Sequence, residues 1–177
     1  MNQIVDQSGA VSADTAKGKG ERTRERILEI AEQAVLQKGF GATSIEEIIC
    51  EAEITKSGFF YHFKDKNELA RALLLRHIDQ DEIILDQVFN RGQELTDDPL
   101  QQFLIGLKML AELVEDLPNG HPGCLIAVYC YQERLFDQEV RQLNQQAVLG
   151  WRDRFRTILD RVVEQYPPNE PVDLDEL

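Results

Sequence analysis

Along most of the chain apolar residues recur every three or four positions, and nowhere do they alternate with polar ones in strand fashion. That rhythm gives each segment one apolar stripe to bury and makes the fold class all-α. The first stripe is Ile27, Ile30, Ala31, Ala34 and Val35, which predicts a helix from Arg22 to Lys38, with Gly39 in the left-handed position that ends it. A second helix is predicted to open near Thr43 or Ser44, where a hydroxyl cap is followed by Glu46, and to pack through Ile45, Ile48 and Ile49. A short third helix is predicted from Thr55 to near Tyr61. A long fourth begins at Asp65 or Lys66 and runs through Leu69, Leu73 and Ile78 to Phe89. Gly92 and Pro99 bracket a break, after which Phe103, Leu107 and Leu110 mark a helix from Pro99 to Leu117. The Pro- and Gly-rich stretch from Pro118 to Gly123 is a turn. Two more helices follow, Gly123 to Leu135 and Gln138 to Gln165, and Pro167-Pro168 stops the last.

These segments divide into a polar arm over residues 1–20, a small helical domain over 21–68 and a larger helical domain over 69–177. The most apolar stretch, Leu125 to Tyr131, is far shorter than the roughly 20 residues that cross a bilayer. The first residues are polar, with no secretory leader pattern. A cytoplasmic location and no membrane partner are therefore expected. Cys50, Cys124 and Cys130 include no CxxC pair, which fits neither a disulfide framework nor a zinc site, so all three are expected to be reduced and at least partly buried. No GxSxG, HExxH or phosphate loop is present, and His62, His77 and His121 are scattered, so neither an enzyme nor a cofactor or metal is expected. The net charge of −13 disfavours indiscriminate binding to DNA, yet specific association needs only local positive charge.

Thr43 to Leu69 is the stretch that points to function. A capped helix, a tight turn and a short helix make a helix-turn-helix, in which the first helix braces the second and the second enters the major groove. The second would present Thr55, Lys56, Ser57 and Gly58: hydroxyls and an ammonium for phosphates and base edges, and a glycine for close approach. Ile54, Phe59 and Phe63 would anchor it from behind. Lys17 and Lys19 in the arm either reach DNA phosphate or belong to an uninvolved tail. Taken alone, His62 reads as a structural histidine, and Lys64 and Lys66 as solvated charges.

The run Thr55-Lys56-Ser57-Gly58-Phe59-Phe60-Tyr61-His62-Phe63-Lys64-Asp65-Lys66-Asn67-Glu68-Leu69 resembles the signature of the TetR family of bacterial regulators. Gly39-Phe40 and Thr43-Ser44-Ile45 are similar to that family's link between its first two helices, and the resemblance covers about residues 22–75. It implies a homodimer that binds double-stranded operator DNA as a repressor. It further implies that Thr43 caps the second helix and contacts phosphate, and that Thr55, Lys56, Ser57 and Gly58 lie at the major groove. Tyr61 and His62 would contact phosphate or thymine methyls, and Lys66 would clamp a phosphate from the start of the fourth helix. Two positions depart from the family pattern. Phe60 stands where Tyr is usual, and Glu53 where Gly is common in the turn.

The same resemblance implies a helical C-terminal domain that holds a small-molecule inducer and, when it does, weakens DNA binding reciprocally. Phe103, Leu107, Cys124, Val128, Tyr129, Trp151 and Phe155 are candidate walls for its pocket, although pockets and cores use the same residue types. Two other readings stand beside this one. Cys124, at a helix start behind Pro122-Gly123 and near His121, would suit a thiol-based redox sensor. A helical protein-interaction module without operator binding is the remaining alternative. Pro171 to Leu177 reads as the opening turn of a further helix that then stops, so that, against the resemblance, either the chain is truncated at its dimer interface or the family's final helix is absent. Truncation would leave Val148, Phe155, Ile158, Leu159 and Val162 uncovered.

Overall fold

The computed structural model describes residues 18–117, 123–170 and 172–173. Seven α-helices lie among them: α1 Lys19–Lys38, α2 Ile45–Glu51, α3 Lys56–His62, α4 Lys66–Leu95, α5 Pro99–Glu115, α6 Leu125–Tyr131 and α7 Gln138–Gln165. A single 3-10 turn, Glu133–Leu135, joins α6 to α7, and no strand occurs among the described residues. The all-α expectation holds. Lys17, His121 and most of the predicted C-terminal turn from Pro171 lie outside the described residues, as does nearly all of the expected arm.

Five helices open on a side chain that accepts the amide three residues on: Ser44, Thr55, Asp65, Asp98 and Asp137. Such caps satisfy donors that a helix start would otherwise leave orphaned. Ser44, not Thr43, therefore caps α2, its Oγ accepting from Glu47 N–H at 3.1 Å. Gly39 does take a positive φ (84°) at the end of α1, but its ψ of 159° is outside the left-handed helical region. A Cβ there would lie 2.4 Å from Nε2 of Gln132, so the position also admits a close neighbour.

Two expected boundaries change. The break bracketed by Gly92 and Pro99 falls at residues 96–98, and α4 runs past its expected end at Phe89, through Gly92, to Leu95. Gly92 is buried where α5 crosses, and a Cβ on it would fall 2.5 Å from the Gln102 carbonyl oxygen. The missing side chain thus serves helix contact rather than helix termination. The predicted Gly123 to Leu135 helix shortens to α6 and the 3-10 turn.

The main core is continuous from α1, α2 and α3 into α4 and α6, with Ile27, Leu28, Ile48, Phe59, Phe63, Leu69 and Leu125 fully buried. Each such side chain contributes about 1.5–3 kcal/mol through removal from water. Phe40, Tyr129 and Phe136 carry this core from the α1–α2 link to α6 and the start of α7, with ring centroids 4.3–5.9 Å apart. Polar contacts pin the same region. Tyr129 donates its hydroxyl to Ala70 O at 2.9 Å, and Gly41 N–H donates to Oε1 of Gln132 at 3.0 Å. A second, aromatic cluster of Leu85, Val88 and Phe89 holds α4 against α5 and α7 through Phe103 and Phe155.

Candidate nucleic-acid interface

The turn between α2 and α3 is held by Ile54 N–H donating to Ile49 O at 3.2 Å. Glu53 supplies the reversal with a left-handed φ of 52°. Its carboxylate neither buries nor repels the fold but pairs with Arg26 on α1 at 3.2 Å, both side chains being exposed. Thr55 then caps α3, accepting from Gly58 N–H at 3.1 Å and sharing a 3.0 Å hydrogen bond with Ser57. A Cβ at position 58 would stand 3.2 Å from Oγ1 of Thr55, so glycine keeps this cap compact.

Helical geometry sorts the α3 side chains into two faces. Phe59 and Phe63 point inward and are fully buried, while Lys56, Ser57, Phe60 and Tyr61 are exposed, Tyr61 to 82%. Lys56 and Phe60, like Ser57 and Tyr61, are four residues apart, so the four make one outward stripe. Phe60 rests edge-on against Phe59, with centroids 5.4 Å apart. It therefore offers an apolar edge where a tyrosine would offer a hydroxyl. His62 is half-buried beside Tyr61, and burial, helped by the nearby Arg24 charge, holds its imidazole below the usual histidine range. At neutral pH it acts as a hydrogen-bonding group rather than a cation.

Two expected contacts are placed differently. Thr43 is only 2% exposed, and its hydroxyl donates to Gly39 O at 3.0 Å, so it locks the α1–α2 link and does not face outward. Lys66 turns its ammonium onto Phe40 O at 2.7 Å and over the Phe40 ring at 4.5 Å, and burial holds its pKa below the usual lysine range. The start of α4 is already served by acids of the chain itself. Asp65 accepts from Glu68 N–H at 2.9 Å, and Glu68 accepts from Lys64 N–H at 2.6 Å.

Sequence reasoning missed Arg24. Its guanidinium lies 5.0 Å from the centroid of the Phe63 ring, and a Cβ on Gly20 would be 3.9 Å from His62, so the first turn of α1 flanks the end of α3. The run of basic residues from Lys19 to Arg26 was the available signal. Charge is also divided along the chain. Residues 18–66 carry eight Lys and Arg against nine Asp and Glu, whereas residues 67–177 carry ten against twenty-one. The acidity belongs to residues 67–177.

Residues 27–73, which hold this interface, match the profile described as "Bacterial regulatory proteins, tetR family". This stretch of the chain is similar to the TetR family. The HTH-type transcriptional repressor BepR of Brucella suis is 36% identical over 70 residues, 39% of this chain and 34% of that protein. The HTH-type transcriptional repressor NemR of Escherichia coli is 38% identical over 55 residues, 31% of this chain and 28% of that one. The matched stretch thus spans about a third of these relatives. The likeness in fold is wider. A TetR-family regulator from Agrobacterium tumefaciens superposes with a TM-score of 0.74 at 17% identity, covering 89% of this chain and 80% of the other. The reduced form of Escherichia coli NemR gives 0.70 at 20% identity, covering 88% and 79%.

The seven candidate pocket residues do not converge. Trp151 alone among them lines the larger cavity, about 590 Å³ between α4 and α7, together with Leu85, Phe89, Ala147, Arg154 and Ile158. Tyr129 lines a second, of about 570 Å³, with Cys130, Phe136 and Asn144. Phe103 and Phe155 sit in the aromatic cluster behind Phe89, Val128 packs on the main core, and Leu107 is exposed. Cys124 stands at the cap position of α6 and makes no side-chain cap hydrogen bond there. All three cysteines are exposed, contrary to the expected burial, because Cys50 and Cys130 fall on the outer sides of short helices and Cys124 lies at a helix end. Among the described residues no helix is long and apolar enough to cross a membrane.

Proposed function

We propose that this chain is a DNA-binding transcriptional repressor that reads double-stranded operator DNA as a homodimer and is released by a small-molecule inducer. One observation carries the reading: the outward stripe of Lys56, Ser57, Phe60 and Tyr61 on α3, braced by the buried Phe59 and Phe63. A short helix so presented suits the major groove, with Lys56 for phosphate or guanine and Phe60 for thymine methyls. Thr55 and Gly58 set the start of that helix, while Tyr61, His62 and Arg24 border it for phosphate contact. Exposed apolar side chains on α7 (Val148, Leu149 and Trp151) support pairing with a second copy. The cavity between α4 and α7 is of a size that holds a small ligand, with apolar walls and the guanidinium of Arg154.

The test is fluorescence anisotropy with duplex DNA from upstream of the chain's own coding sequence, against a scrambled duplex, over a range of salt. Selective binding that weakens as salt rises is expected, and Lys56→Ala should lower the slope of log K against log salt by about 0.9, one phosphate's share. A folded, dimeric protein that binds both duplexes alike would sink the reading in favour of a helical protein-interaction module.

A further inference from the structure

Two ion pairs fix how α7 lies on α4. Arg71 meets Glu139 at 2.6 Å and Asp86 meets Arg154 at 2.7 Å, and both pairs keep the same sequence offset, so the two helices run parallel. By that register Glu82 stands level with Gly150, and Gln93 with Arg161. The cavity of about 590 Å³ follows the groove between them. Its α7 wall is Ala147, Gly150, Arg154, Ile158 and Arg161, each three or four residues from the last. Its α4 wall, Glu82, Leu85, Phe89 and Gln93, keeps the same spacing, so each helix turns a single face to the cavity.

The middle of the groove is apolar and aromatic. Phe89 is buried, and Phe155 backs both it and the cavity-lining Trp151, with ring centroids 5.7 and 6.0 Å away. Gly150 leaves room beside them, because a Cβ there would meet nothing within 4 Å. Glycine is a poor helix former, and no packing contact explains this one, unlike Gly92 and Gly106. One end of the groove is cationic. Most basic side chains of residues 67–177, Arg154 included, pair with carboxylates of the chain itself. Arg161 instead donates from Nη2 to Oε1 of Gln102 at 3.1 Å, and no carboxylate among the described residues pairs with it. Gln102 is buried, and its Nε2 donates to Thr96 O at 2.8 Å, so it holds the guanidinium in place without neutralising it. Asp97 and Glu164 border a separate cleft beyond Arg161, and neither lines this cavity. Glu82, the one acid on its wall among the described residues, lies about 16 Å along the helix axis from the level of Arg161.

We propose that this cavity binds an aromatic monocarboxylate, its ring on Phe89 and Trp151 in the space beside Gly150 and its carboxylate on Arg161. The ligand class deepens the inducer reading above and rests on it only for any consequence at DNA. Aromatic pairs gain from their geometry beyond the area they bury, which favours a ring over an aliphatic chain on this shelf. Gln102 accepts from only one of the five N–H groups of Arg161, which leaves a fork for two parallel bonds to a carboxylate. A second anionic group would find no partner, since Asp86 already holds Arg154 and Glu82 repels anions at the opposite end. The ligand therefore has one acidic end and one neutral, ring-bearing end.

The experiment uses the full chain with 4-phenylbutanoate as probe and its uncharged amide, 4-phenylbutanamide, beside it. Trp151 is the single tryptophan of the chain, so its emission reports on the cavity directly, and titration calorimetry supplies Kd. The acid should give a saturable change and bind at least about ten-fold more tightly than the amide, the share of a charge-assisted hydrogen bond. Arg161→Gln should erase that preference and leave both probes weakly bound. Gly150→Leu should fill the ring's space, bind neither probe and melt no lower than the parent. Arg161→Gln, at an exposed position, keeps the test decisive if the leucine variant does not fold. Equal affinity of the parent for acid and amide would overturn the carboxylate site, and undiminished binding by Gly150→Leu would overturn its place in the fold. No saturable binding of the acid to the parent would sink the proposal outright, and a changed oligomeric state of Gly150→Leu would then assign the groove to a second copy of the chain. None of these readouts needs DNA, so absence of operator binding would count against the repressor reading alone.

Discussion

Glu53 is the one non-glycine residue with positive φ among the described residues, and it stands in the turn that aims α3. A side chain with a Cβ costs about 1–2 kcal/mol in that conformation, and the exposed pair with Arg26 returns little of it. Glu53→Ala keeps the backbone cost and loses the pair, whereas Glu53→Gly loses the pair and relieves the cost. The glycine variant should therefore be the more stable of the two by about 1 kcal/mol in urea unfolding, with equal m-values. Equal midpoints would mean that the turn carries no strain. Lys66 makes a second case at this scale. Its ammonium is engaged by Phe40, not directed at a ligand, so Lys66→Met should cost about 1 kcal/mol of stability and leave the salt slope of DNA binding unchanged. A slope lowered as far as that of Lys56→Ala would show the lysine to be a phosphate contact after all. The residue types from Thr55 to Lys66 were readable in the sequence because they lie within three turns of chain. Where Thr43 and Lys66 point was not, since their partners are backbone carbonyls at Gly39 and Phe40 whose acceptor role no residue type announces.

Glycine decides several matters at the level of the helices. In sequence a glycine between helical segments reads equally as a stop or as a packing site, and at Gly92 only the crossing of α5 settles which. The same uncertainty hid the true length of α4, while the hydroxyl cap at Thr43-Ser44, Asp65 and Pro99 made the starts of α2, α4 and α5 legible to within a few residues. Gly92→Ala would place a methyl 2.5 Å from the Gln102 carbonyl, an atom that cannot move without α5. Forcing that crossing apart should cost about 1–3 kcal/mol. Gly150, inside α7, has nothing within 4 Å of where its Cβ would be, so Gly150→Ala should stabilise by about 0.5–1 kcal/mol through helix propensity alone. Thermal unfolding of both variants tests the pair. A harmless Gly92→Ala would show that α4 and α5 tolerate a wider separation than their present contact.

Across the whole molecule, α1, α4 and α6 meet at a seam that brings distant parts of the chain together, and there the sequence was silent. Glu32, His77 and Cys124 span more than ninety positions, so no local pattern links them, although the helix-start argument had already singled out Cys124. Their linkage has a pH signature. His77 keeps its proton in the folded chain up to about 9, against 6.5 when unconstrained, so its contribution to stability is complete below 6.5 and is lost as pH rises through 9. The thiol of Cys124 shifts the other way. Its contribution is complete above the ordinary value of 9.0 and is lost as pH falls through its lowered value. Where the two windows overlap, the folded state holds more protons on the imidazole and fewer on the sulfur than the unfolded chain does, so the two slopes oppose each other. Removing the sulfur takes away the thiol's opposing slope and leaves Glu32 and Asp81 to favour the imidazolium against burial. Cys124→Ala should therefore lose Tm steadily from pH 6.5 towards 9, while the parent stays comparatively flat. Tm at pH 6.5, 7.5 and 8.5 for both proteins decides the matter, and parallel profiles would mean that the imidazole and the thiol titrate independently and share no charge pair across the seam.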